Sequence, residues 1–297
     1  MPKPNFMIIG AQKSASSFVH TCLREHPDVF MPVNETPFFE TPYYDNNEID
    51  QFYALFNSVK TEHAIGIKRP DYLTRPECPA RIYQHLPQAK LILVLRNPIE
   101  RAISAYYWYM KQGYIPIKDV ETGLTNILDG VYQVQYPKSQ EIIDYGFYYK
   151  GIMRYLKYFN QDQLFITQHN QFREDARLAI SNIYQFLDID DTYSPKGLSK
   201  QPKRTIYNLT RLTLLAYRNR FTLTYHYTPE CQVITSMPRQ GLVWFAINIL
   251  LTAIDRALLA PVLGNEKPSL SARLQEQLCV LYEQDLYCLE NLLGYIP

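Results

Sequence analysis

Phe6-Met7-Ile8-Ile9-Gly10-Ala11-Gln12-Lys13-Ser14-Ala15-Ser16-Ser17 opens on four apolar residues and closes on small polar ones. The apolar half has the continuity of a strand covered on both faces, and Gly10 ends it. The polar half begins a helix, predicted from about Ser14 to Glu25. Two other apolar runs repeat the pattern. Leu91–Leu95 is followed, after Asn97-Pro98, by a helix to about Met110, and Leu164–Ile166 precedes a helix from about Asp175 to Leu187. Ala64–Ile67 is a weaker fourth strand. Strands with little polar alternation, separated by helices, predict an α/β chain built on a doubly wound parallel sheet.

The rest of the chain is organised around that core. The expected arrangement is a single domain over 1–297, with the α/β core at 1–190 and a basic segment plus helical extension at 191–297. A long connection, 111–144, rich in Gly, Tyr and polar residues, is expected to be a lid, a binding loop or a disordered segment. From Lys196 to Arg220 the chain carries seven cations, Lys203 and Arg204 among them, and no acid. Leu274, Leu278, Leu281, Leu286 and Leu289 mark the apolar side of a last helix, 270–293. Gly241–Ile254 is an apolar run closed by Asp255 and Arg256. Bilayer crossing takes roughly 20 residues, so a buried helix is expected there rather than a transmembrane segment, with a peripheral membrane or dimer contact as the alternative use of 241–254.

Composition narrows the function. A formal net charge of +1 over 297 residues gives no general attraction to nucleic acid. Five scattered cysteines without a C-x-x-C pair fit neither a disulfide framework nor a zinc site, and predict a reducing compartment. No secretory leader pattern precedes the first strand, and a cytoplasmic location is expected. No cluster of metal ligands is apparent.

The turn after the first strand has the makings of a phosphate site. Helix-start N–H groups, the positive end of the helix dipole and Lys13 converge there, and Ser14, Ala15, Ser16 and Ser17 let an anion approach the backbone. It is not a Walker A loop, because Gly10 lies three residues before Lys13 and no glycine precedes the lysine directly. An ordinary strand-to-helix turn with a solvated lysine is the plain alternative. The second long strand ends in Arg96, where open α/β sheets place ligands. Ser104 follows eight residues later, two turns into the next helix. The pair could serve a second phosphate, or an ion pair and a solvated hydroxyl.

Taken in order, these motifs resemble the sulfotransferases that use 3′-phosphoadenosine 5′-phosphosulfate (PAPS). Lys13–Ser17 looks like their 5′-phosphosulfate loop and Arg96–Ser104 like their 3′-phosphate motif. Glu25-His26-Pro27 through Glu35-Thr36-Pro37-Phe38-Phe39, Gly66–Tyr72, Gly146-Phe147-Tyr148 and Phe186-Leu187 are similar to the carbohydrate (heparan-sulfate-type) branch and its bacterial relatives. The chain departs from the pattern at Ala15, where many relatives have glycine, and at Ile67, where a glutamate often precedes the lysine.

The resemblance implies a P-loop-like sheet flanked by helices, PAPS as donor, no metal, and a carbohydrate hydroxyl or amine as acceptor. It implies Glu35 as base, with Lys13 and Lys68 as cations at the transferring group. Arg96 and Ser104 would hold the 3′-phosphate, with Lys203 and Arg204 as further donor contacts. Glu35 is expected to be desolvated by Phe38 and Phe39, which would raise its pKa. Tyr106, Tyr107 and Trp108 offer either a stacking floor for a sugar or core. A non-catalytic PAPS- or polyanion-binding module and a nucleotide-dependent phosphotransferase are the competing readings.

Overall fold

The computed structural model describes residues 1–199, 205–227 and 233–297. Lys200, Lys203 and Arg204 therefore lie outside the described residues. The chain divides into two compact units: Met1–Arg101 with Phe147–Lys203 and Tyr282–Pro297, and Ala102–Gly146 with Arg204–Leu281.

The first unit holds a parallel five-stranded sheet in the order β2-β3-β1-β4-β5. The strands are β1 (Phe6–Gly10), β2 (Val29–Phe30), β3 (Ala64–Lys68), β4 (Lys90–Leu95) and β5 (Leu164–Gln168). Phe6 of β1 lies opposite both Gly66 of β3 and Lys90 of β4, and Leu91 pairs with Leu164. Alternate residues feed two separate cores. Met7, Ile9, Ile67, Leu91 and Leu93 pack with Cys78, Ile82, Tyr148, Ile152 and Leu289 on one face. Phe6, Ile8, Ile92 and Val94 pack with Val19, Cys22, Leu23, Ile180 and Ile183 on the other. Cover on both faces explains why these strands read as unbroken apolar runs. Because β1 has β3 on one side and β4 on the other, its carboxyl end is a switch point, the place where open α/β sheets bind ligands.

Gly66 is fixed by the neighbouring strand. A Cβ there would lie 2.1 Å from the Phe6 ring. Gly66→Ala should therefore cost about 1–3 kcal/mol through overpacking, read as a lower urea midpoint. Trimming Phe6 to leucine in the same chain should recover part of the loss.

The second unit contains helices Val120–Leu128, Leu209–Thr222 and Leu242–Ile254, and the hairpin β6 (Leu223–Tyr227) with β7 (Val233–Pro238). Three sequence expectations change. Residues 111–144 are not one loop, because Asp119 caps helix Val120–Leu128 by accepting from the Thr122 N–H at 2.8 Å. The apolar run 241–254 is not a buried helix. It is exposed, and the helix runs on to Val262 with only 6% of its apolar window buried. The charge expected to end it, Asp255, is instead neutralised by Arg211 at 2.8 Å. In the last helix, Ala272–Leu293, the covered stripe is Leu274, Leu278, Tyr282, Asp285 and Leu289, whereas Leu281 is exposed. Asp285 takes a core-side position because its carboxylate caps helix Tyr148–Tyr155, accepting from the N–H groups of Tyr149 and Lys150 at 3.0 and 3.1 Å.

Candidate active site

The loop after β1 forms at the switch point and leads into helix α1 (Ser16–Arg24). Lys13 and Ala15 take left-handed conformations, with φ of 67° and 73°. Alternating backbone handedness turns successive N–H groups toward one concavity, an arrangement that suits anions. Ala15 is the N-cap residue and has no side-chain acceptor to offer the first turn. Its positive φ would suit glycine equally well. The Arg96 guanidinium reaches the loop and donates to the Lys13 carbonyl at 3.2 Å, while its other terminal nitrogen pairs with Glu100 at 3.1 Å. The Arg96 Nε is buried and has no protein acceptor, and Tyr148 fixes the strand end by donating to the Arg96 carbonyl at 2.8 Å. Helix-start N–H groups, the loop lysine and an arginine with a spare donor fit a phosphate ester.

Lys68 joins the loop to the candidate base. At the end of β3, and only 5% exposed, its ammonium donates to Ser17 Oγ at 2.8 Å and contacts Glu35 Oε1 at 2.8 Å. Backbone pairing sets this register. Arg69 N–H donates to the Ile8 carbonyl, prolonging the β1–β3 contact, and Thr36 N–H donates to the Lys68 carbonyl at 3.3 Å. Tyr72 then holds the Glu35 loop from below, donating from its hydroxyl to the Thr36 carbonyl.

The expected desolvation of Glu35 does not occur. Its side chain is 40% exposed and is held by two cations, Lys68 and Arg69, the second at 3.1 Å. Phe38 and Phe39 turn away from it into an aromatic cluster with Tyr44 and Phe52. Glu35 itself orients Lys68, which supplies the carboxylate that Ile67 does not.

Behind this pair lies a network that sequence reasoning missed. The Arg69 guanidinium donates to Glu40 at 2.6 and 2.8 Å and lies 3.2 Å from Asp71. Burial works against the Arg69 charge, but Asp71, Glu40 and Glu35 together hold its pKa above the ordinary value. Burial likewise pushes Glu40 upward, against the pull of Arg69. The signal was present in Lys68-Arg69-Pro70-Asp71, but only the fold shows that Glu40 completes it.

In the second unit, Ser104 is buried and its hydroxyl lies 2.8 Å from that of Thr205, the residue after Arg204. Asn265 holds this segment by donating to the Thr205 carbonyl at 2.9 Å and accepting from the Tyr207 N–H at 2.7 Å. Two arginines of the basic run are already engaged. Arg211 pairs with Asp255, and Arg218 donates to Thr252 at 2.8 Å. Tyr106 and Tyr107 belong to the core, with only Trp108 part-exposed.

Two histidines, His20 and His169, have strongly lowered pKa values. His20 bonds the Pro32 carbonyl at 2.9 Å, and burial, helped by Lys68, pushes its pKa down to about 4. Burial and then Arg96 do the same for His169, also to about 4. Unfolded histidine titrates near 6.5, so below that pH the unfolded chain takes up protons that these two sites refuse. Their contribution to stability is complete above pH 6.5 and is lost as pH falls toward 4. The loss is at most about 1.4 kcal/mol per pH unit for each group. Melting temperature should drop over this window, and His20→Gln should flatten the slope.

A parallel sheet with a loop suited to an anion at its switch point, and a carboxylate–lysine pair beside it, defines a P-loop-like α/β fold. The chain matches the sulfotransferase domain model over residues 3–236, and it belongs to that family. A crystal structure of a sulfotransferase from Alicyclobacillus acidocaldarius is similar, with 26% identity and a TM-score of 0.60, covering 73% of this chain and 92% of that one. The heparan sulfate glucosamine 3-O-sulfotransferase 3B1 of Homo sapiens is 28% identical over 191 residues, 63% of this chain and 46% of that protein. The membrane-associated sulfotransferase kil1 of Dictyostelium discoideum is 33% identical over 109 residues, 35% of this chain and 23% of that protein. The chain thus spans less than half the length of either of these last two relatives.

Proposed function

We propose that this protein transfers a sulfonyl group from PAPS to a hydroxyl, or in a second form an amine, of a carbohydrate. The observation that carries the reading is Lys68 bridging Ser17 of the anion loop and Glu35, which ties a donor site to a base. PAPS supplies an activated sulfonyl group on a stable leaving group, 3′-phosphoadenosine 5′-phosphate (PAP), and the chemistry needs no metal. Glu35 takes the acceptor proton as the acceptor oxygen bonds to sulfur and the sulfur–phosphate oxygen bond breaks. Lys13 and Lys68 offset the charge gathering on the leaving oxygen and the sulfonyl group. The resemblance of Arg96–Ser104 to the family's 3′-phosphate motif assigns Arg96 and Ser104, with Lys203 and Arg204, to that phosphate.

The carbohydrate acceptor is supported by the family branch and by the similarity to a glucosamine 3-O-sulfotransferase. The family match covers residues 3–236 and takes in parts of both compact units, and we extend it to one domain over 1–297. A cytoplasmic location is part of the proposal, on the five scattered cysteines of the sequence. An acceptor screen with radiolabelled PAPS tests the activity, with Lys13→Ala and Glu35→Gln as controls. Label transfer to a saccharide, lost in both variants, is expected. Transfer to no acceptor despite PAP binding would favour a binding module, and ATP-dependent phosphorylation would favour a phosphotransferase.

A further inference from the structure

Helix Leu242–Ile254 passes through a wider turn at Asp255–Leu259 and continues to Val262, giving 21 residues of mean hydropathy 1.8. A surface helix of a soluble domain turns its apolar side inward. This one does the reverse. Leu242, Val243, Phe245, Ile249, Leu250 and Leu258 are exposed, Leu242 by 86%. Polar bonds tie it to the protein: Asp255 accepts from Arg211 at 2.8 and 3.0 Å, and Thr252 accepts from Arg218. A contiguous apolar surface of this kind marks an interaction site.

We propose that this face docks on an anionic lipid bilayer, with the helix lying in the membrane plane and its apolar side at the headgroup–acyl boundary. Charge selects lipid over a second copy of the chain. Among the described residues from Thr205 to Val262 there are five arginines, Arg211, Arg218, Arg220, Arg239 and Arg256, and one acid, Asp255, which Arg211 occupies. With Arg211 and Asp255 cancelling, four arginines remain; a second copy would set arginine against arginine, whereas anionic headgroups complement them. At the start of the helix the Arg239 guanidinium lies 4.9 Å from the Trp244 ring centre, and tryptophan and arginine are both suited to the interface. A crossing orientation is disfavoured because Thr252 and Asp255 sit mid-helix. Carrying them into hydrocarbon would draw Arg211 and Arg218 along. An in-plane helix keeps every one of these bonds.

The test uses the full chain with vesicles of phosphatidylcholine, alone or mixed with phosphatidylglycerol. Flotation with the anionic vesicles is expected, weakened by high salt. It should fall by an order of magnitude or more in Phe245→Glu/Ile249→Glu, with circular dichroism and melting temperature unchanged. A gentler reading needs no charge on the helix. In Trp108→Phe, Trp244 is the one remaining tryptophan, and its emission should shift to the blue and be quenched by lipids brominated near the headgroup. Absent flotation, flotation unchanged in the double variant, or a concentration-dependent dimer abolished by that variant would overturn the proposal. So would quenching of Leu250→Trp, made in a chain lacking both native tryptophans, only by bromines at the bilayer centre, since that depth means a span.

Discussion

Glu35→Gln should lower kcat by about 10²–10⁴-fold, the range for loss of a positioned general base, while PAP still binds. The side chain keeps its shape, so the loop pinned by Thr36 and Tyr72 should stay in place. The acceptor proton, however, has nowhere to go. A secondary effect follows from the two cations around the carboxylate. Lys68 approaches one oxygen and Arg69 the other, and an amide presents an acceptor to only one of them. Glu35→Asp should retain part of the activity, because a carboxylate is still present on a shorter stem. An unchanged kcat in Glu35→Gln, measured with saturating donor, would remove Glu35 from the reaction.

Much of the fold was legible because one physical cause wrote it twice. Strands buried on both faces must be apolar throughout, and β1, β3, β4 and β5 are found where such runs occur. The turn after β1 was legible for a similar reason, since the small residues predicted to start a helix there lead into α1. The surroundings of Glu35 were not. Phe38 and Phe39 are its neighbours in sequence, yet their rings join Tyr44 and Phe52, while the groups that hold it come from the far end of β3. Nearness along a loop says little about which way each side chain turns.

The exposed helix was misread for a related reason. Asp255 looked like a terminus because an unpaired acid ends an apolar run, and its partner Arg211 lies on another helix. Residues 111–144 could have been read better. Asp119 before Val120, with Leu124 and Ile127 following, is a cap and a periodic face.

Lys68→Met should lower kcat by about 10²–10³-fold, the usual cost of deleting one preorganised charge donor. Methionine fills the path of the buried lysine stem, so the loss should fall on charge rather than on packing. With the ammonium gone, Ser17 loses its link to Glu35, and the carboxylate is left to Arg69, which Glu40 and Asp71 already occupy. The base should then rest away from the anion loop. This predicts a coupling that separates positioning from simple donor binding. Lys68→Met/Glu35→Gln should be little slower than the worse single variant, because each residue works through the other. Full additivity, or a change confined to the KM for PAPS, would mean that Lys68 grips the donor without governing the base. Lys68→Arg should rescue poorly, because a planar fork cannot occupy the point at 2.8 Å from both Ser17 Oγ and Glu35 Oε1 that the ammonium fills.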